Sequence, residues 1–164
     1  MRGLIFVLSA VVAATFFVGC NDNFDAPQSM RNSFEAQYPK AKNIEWEKKH
    51  GHAVAEFHLP GIKGECEAWY TLDGKWIMTE FDIVYSDLPA AVRNSFETEY
   101  GIDTPVDDVK RIERYNANTI YLIEATIVIN GILSDIYIEY LEDGTLLRSA
   151  VEVDADYFYG DYLW

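Results

Sequence analysis

The strongest constraint on this chain is that it contains the same segment twice. Residues 25–38, DAPQSMRNSFEAQY, align without a gap to residues 87–100, DLPAAVRNSFETEY. Both copies keep the Asp, the Pro, the whole RNSFE run and the closing Tyr. Further on, residues 68–74, AWYTLDG, correspond to 138–144, IEYLEDG, in the same order. Self-similarity of this kind marks one supersecondary unit used twice, so the rest of the chain is read in duplicate.

Each copy opens with a helix. Met30, Phe34 and Tyr38 recur every four residues, as do Val92, Phe96 and Tyr100, which lays one apolar stripe along each helix. Asp25 and Asp87 stand as N-caps or just before them, and Pro27 and Pro89 fit the first turn, where a missing N–H costs nothing. Pro39 ends the first helix and Gly101 the second. Strands follow, at about 43–48, 53–59, 66–72 and 75–84, then at about 108–115, 119–130, 134–141 and 145–153. Turns fall at His50-Gly51, Asp73-Gly74, Asn130-Gly131 and Asp143-Gly144, because Asn-Gly and Asp-Gly between apolar runs tolerate positive φ. The expected class is α+β: a tandem repeat, 25–86 and 87–153, of two units, each a helix packed on a four-stranded antiparallel sheet.

The segment ahead of the first repeat reads as an export signal. Arg2 is followed by an apolar run from Leu4 to Val18, shorter than the ~20 residues a spanning helix needs. Phe17-Val18-Gly19-Cys20 has the form of a bacterial lipobox, which makes 1–19 a signal peptide, Cys20 the lipidated residue and 20–24 a polar tether. The expectation is an exported, outer-membrane-anchored lipoprotein, periplasmic or at the cell surface, with its lipid as the only membrane contact.

The chain has 13 basic and 27 acidic residues, a net charge of −14. Loss of residues 1–19 removes only Arg2 among these, leaving −15. Such a surface excludes nucleic acid and anionic headgroups as partners, since both require Lys and Arg to neutralise phosphate. With Cys20 lipidated, Cys66 has no disulfide partner; it is either a packed small apolar side chain, sharing strand parity with Ala68 and Tyr70, or an exposed thiol.

The order of these features resembles the PepSY-like, β-lactamase-inhibitor-like family of exported proteins and lipoproteins of Bacteroidetes-type bacteria. The residues that carry the resemblance are Phe34, Tyr38-Pro39 and Trp46, then Ala68-Trp69-Tyr70 with Asp73-Gly74-Lys75-Trp76. Leu88-Pro89, Val92, Tyr140 and Asp143-Gly144 follow in the second copy. The resemblance implies tandem α-β units like those of the β-lactamase inhibitory protein, whose sheets form a concave surface that grips its target enzyme. The wider PepSY group is associated with restraint of proteases in the envelope.

Catalytic motifs are missing: there is no Gly-rich phosphate loop, no Gly-x-Ser-x-Gly and no His-Glu-x-x-His. All three His lie between 50 and 58, and a Cys66–His pair would sit in acidic surroundings that do not lower a thiol pKa. No catalytic residue and no cofactor is expected. His52, Glu56 and His58 share strand parity and form the sharpest candidate metal set, although same-face neighbours roughly 7 Å apart suit a metal only if the strand bends or His50 joins from the turn. Asp103, Asp107 and Asp108, or Asp154 and Asp156, invite a calcium reading but lack an EF-hand-like run of alternate ligands with a closing Glu.

The binding expectation rests on the sheet face away from the helices. In the third strand Cys66, Ala68 and Tyr70 suit the helix side, which turns Glu65, Glu67 and Trp69 outward, near Glu56 and His58. An aromatic bordered by acids is the composition of an interface anchor with a polar rim, and Trp69, Glu67, Glu56, His58 and Trp76 are the candidate contact residues. The expected partner is a protein of the envelope, such as an exported hydrolase; the alternatives are a periplasmic binder of a small ligand or divalent metal ion, or a passive structural lipoprotein. The competing reading packs Trp69 and Trp76 between the two units. Residues 154–164, DADYFYGDYLW, have no counterpart in the first copy and form an acidic aromatic tail that either packs on the protein or meets a partner.

Overall fold

A computed structural model describes residues 24–151. The expected signal peptide, Cys20 and the 154–164 tail lie outside the described residues. The chain runs α1 (Gln28–Gln37), β1 (Lys42–Lys49), β2 (His52–His58), β3 (Cys66–Tyr70) and β4 (Trp76–Asp82). A 3-10 turn at Tyr85–Asp87 leads into α2 (Ala90–Tyr100), β5 (Val106–Arg114), β6 (Ile120–Ile129), β7 (Ile132–Leu141) and β8 (Leu146–Val151). The strands lie side by side in sequence order, every neighbouring pair antiparallel, in one eight-stranded sheet. The expectation of a separate four-stranded sheet for each unit gives way here. β4 and β5 pair directly, with Met78 opposite Arg114 and Asp82 opposite Lys110, because the 3-10 turn and α2 return the chain to the edge that β4 would otherwise leave open.

Both helices cover the same face. Under α1, Met30, Phe34 and Tyr38 pack on Trp46, Ala53, Ala55, Phe57, Cys66, Ala68, Tyr70 and Phe81. Small residues on β2 and β3 let the helix sit close, and the Phe34 ring meets Phe57 edge-on with centroids 4.9 Å apart. Under α2, Val92 and Phe96 pack on Val109, Tyr121, Ile123, Ala125, Ile136, Ile138 and Tyr140.

The helix starts differ from expectation in detail. Pro27 and Pro89 are themselves the N-caps, without a side-chain cap hydrogen bond, and the helices begin one residue later. Asp25 instead accepts a 2.8 Å hydrogen bond from Arg31 Nη2, while Arg31 Nε donates to the Ala26 carbonyl. Arg93 does the equivalent in the second half, donating to the Ser86 carbonyl at 2.7 Å. The Arg shared by both copies therefore clips the entering loop to its helix. The two-residue turns are as their sequences demand: His50 and Gly51, like Asn130 and Gly131, all have positive φ.

Candidate functional site

Alternation along the strands sends every second side chain to the face opposite the helices. An antiparallel sheet covered on one side commonly shows water a polar second face. This one does not. Val54, Trp69, Met78, Ile112, Ile120 and Leu122 form a third apolar cluster there, joined at its margin by Ile77, Tyr137 and Ala150. The register explains its shape. Val54 stands opposite Trp69, Trp69 opposite Met78 and Met78 opposite Arg114. Ile112 then faces Ile120, and Tyr137 faces Ala150. The cluster is a stripe crossing the sheet obliquely, from the end of β8 to β2. Trp69 is 2% exposed, and Val54, Met78 and Ile112 have no exposed surface.

Carboxylates line one border of the stripe. Glu45, Glu56, Glu67 and Glu80 stand opposite one another in a row across β1 to β4. Like charges directly opposite are unfavourable, and the strain falls on Glu56. Its partial burial, followed by the repulsion of Glu47, Glu67 and Glu65, pushes its pKa up from 4.5 to about 7. Lys49 offsets part of this charge, with Nζ 3.2 Å from Glu67 and 3.5 Å from Glu47, and 5.6 Å from the centre of the Trp69 ring. Burial works against the Lys49 charge, but Glu67, Glu47 and Glu56 outweigh it and hold its pKa above the usual value. On the same border, beyond Glu80, Lys110 lies 2.9 Å from Asp82 and within 4 Å of Glu80 and Asp108. Arg148 grips Glu139 in a two-pronged pair, both distances 2.8 Å. Glu139, which takes the place of Trp69 in the second copy, is 2% exposed, and this pairing is what makes its burial tolerable.

The candidate residues separate into groups. Trp69, Glu67, Glu56 and His52 share the open face. His50 stacks on Trp69 at 6.5 Å and His52 lies tilted against it at 6.4 Å. His58 is exposed at the far end of β2, opposite Lys42. Trp76 is elsewhere: it packs at the margin of the α1 cluster, and its Nε1 donates to Thr79 Oγ1 at 2.9 Å. Trp69 is buried in a cluster drawn from both halves of the chain, not set out alone among acids. Among the described residues no three His, Cys, Asp or Glu side chains are placed to hold a metal ion together, and His52, Glu56 and His58 remain spread along one strand. Cys66 lies under α1, on the opposite face from His52 and His58, where burial and then Asp82 raise its thiol pKa to about 11. Cys66 and these His side chains are therefore held apart, on opposite faces of the sheet. A surface depression of about 660 Å³ between the end of α2 and β6 contains none of the stripe residues.

The apolar stripe itself was missed in the sequence, although a signal for it exists. Ile120, Tyr121, Leu122 and Ile123 are apolar without alternation, the pattern of a strand buried on both faces.

An antiparallel meander of eight strands, with both helices on one face and an apolar stripe on the other, defines an α+β class. Residues 61–148 match the family described as "Putative beta-lactamase-inhibitor-like, PepSY-like", and the chain belongs to that family. Among solved structures, a BLIP-like protein from Bacteroides fragilis NCTC 9343 is 26% identical with a TM-score of 0.70, over 81% of this chain and 91% of that one. A "putative periplasmic" protein from Bacteroides eggerthii DSM 20697 is also 26% identical, with a TM-score of 0.67 over 77% of this chain and 88% of that one. A DUF2874 family protein from Bacteroides ovatus ATCC 8483, 23% identical, shares the fold at a TM-score of 0.72 over 84% of this chain and 97% of that one. No curated protein matches the chain. No helix among the described residues is long and apolar enough to cross a membrane.

Proposed function

We propose that this protein is a non-enzymatic, inhibitor-like binding module of the bacterial envelope, tethered through a lipid on Cys20, that holds a protein partner against the open face of its sheet. The two helix-plus-four-strand halves act as tandem units that together shape this face. One observation carries the reading: an apolar stripe lies on the side of the sheet that has no helix, bordered by a row of carboxylates. The stripe residues themselves are out of water, so a partner meets this face along its border, where the carboxylates stand. Such a border suits a partner that carries Lys or Arg, as on an exported hydrolase held in check. The BLIP-like and periplasmic descriptions of the two 26%-identical structures support both the inhibitor-like role and the location.

Trp69 is too deeply buried to serve as a clean probe, since its truncation disturbs the fold itself. Glu65 and Glu67 are better placed, at the rim. In cross-linking from native envelope extract with residues 21–164 as bait, one stoichiometric protein is expected. It should be lost with Glu65→Lys/Glu67→Lys and retained with Glu99→Lys on the helix side. A folded bait that captures nothing, or a capture indifferent to the rim charges, overturns the proposal.

A further inference from the structure

The stripe on the open face is already out of water, and both described helices lie on the other side of the sheet. We propose that its resident occupant is the chain's own segment 152–164, which crosses the open face obliquely from β8 to Trp69 as an intramolecular ligand. This rests on reading the open face as a contact surface, and it does not require a partner to exist.

Three observations point to this segment. The first is continuity. Ala150, next to the last described residue, is itself a member of the stripe's margin, so the segment leaves β8 already at one end of the apolar track. Residues ahead of Phe24 start from the wrong side. Phe24 packs into the α1 cluster and donates its N–H to the Trp46 carbonyl, on the helix side of β1. The second is reach. Thirteen residues extend to about 43 Å. The track crosses from β8 to β2, about 29 Å at ~4.8 Å per strand, and shifts about 20 Å along the strands, a diagonal of about 35 Å. The third is chemistry. The segment holds Tyr157, Phe158, Tyr159, Tyr162, Leu163 and Trp164, enough large side chains to line a track built from Tyr137, Leu122, Ile112, Met78 and Trp69. Along the same track the open face carries Arg148 on β8, Arg114 beside Met78 and Lys49 beside Trp69, opposite in charge to the segment's four acids, Glu152, Asp154, Asp156 and Asp161.

The two methionines of the described fold make the test direct. Met78 lies in the stripe and Met30 under α1, on opposite faces. In the full mature chain labelled at methionine methyls, the Met78 methyl is expected to show NOEs to tail aromatic protons. Tyr157→Ser/Phe158→Ser/Tyr159→Ser should shift the Met78 signal and leave that of Met30 in place. A Met78 methyl that sees no tail proton and ignores these substitutions overturns the proposal, as does a contact partner assigned to residues 20–23. NOEs that arise between differently labelled molecules and grow with concentration also overturn it, in favour of exchange between copies. None of these outcomes touches the rim-charge test of partner binding, so the two readings fail separately.

Discussion

At the scale of single residues the open face is poised by Glu56. Its carboxyl has a pKa near 7 in the folded protein against 4.5 normally, so between those values the native state holds more protons than the unfolded chain. Stability contributed by this group is therefore present at low pH and lost as pH rises from about 4.5 through 7. Glu56→Gln should make the protein more resistant to urea at pH 7.5 than the parent, with the advantage gone near pH 4.5; equal midpoints at pH 7.5 would show that the row of glutamates is relaxed in solution. The side of the strand on which Glu56 lies is legible from alternation alone. Its strain is not, because the groups that cause it come from β1 and β3, and their register depends on how two turns close. Cys66 is the opposite case. Parity with Ala68 and Tyr70 already placed it inward, and the fold puts it under α1 with no exposed surface.

At the scale of elements, the hairpin turns differ in what they touch. Gly131 has a φ of +81° and open space around it, whereas Gly144 has a φ of +83° and sits against α2. A Cβ on Gly144 would come 2.6 Å from the Ala91 carbonyl oxygen and 2.7 Å from Ser95 Oγ. Gly131→Ala should cost only the backbone preference, about 1 kcal/mol. Gly144→Ala adds a clash that the helix must move to relieve, about 1–3 kcal/mol more, and thermal melts of the two variants should separate clearly. Sequence reading found the eight strands and both helices of the described residues, since apolar periods and Asn-Gly or Asp-Gly turns are local signals. It placed Pro27 and Pro89 one position too far into their helices, because Arg31 and Arg93 secure the entering loops from within the helix, which no cap motif reveals.

For the whole molecule the decisive contact is the one between halves. The pairing of β4 with β5, and an open-face cluster that takes Val54, Trp69 and Met78 from the first half and Ile112, Ile120 and Leu122 from the second, tie both repeats into one body. The duplication was plain in the sequence, but it says nothing about which strand edges meet, and so the single sheet was not. Phe34→Ala and Phe96→Ala remove equivalent rings from the two helix-covered cores and should each cost about 3–5 kcal/mol. Both variants should still unfold in one transition, the same by far-UV circular dichroism and by tryptophan fluorescence. Two resolved transitions would mean that the halves fold independently.

A sheet whose every ladder joins neighbours in the chain has a kinetic consequence as well. No strand must wait for a distant partner, so each pairing closes only a short stretch of chain, and the entropy lost to loop closure stays small at every step. Such a chain can zip up hairpin by hairpin from any starting point, and its slow event is the joining of β4 to β5, across the one connection that contains a helix.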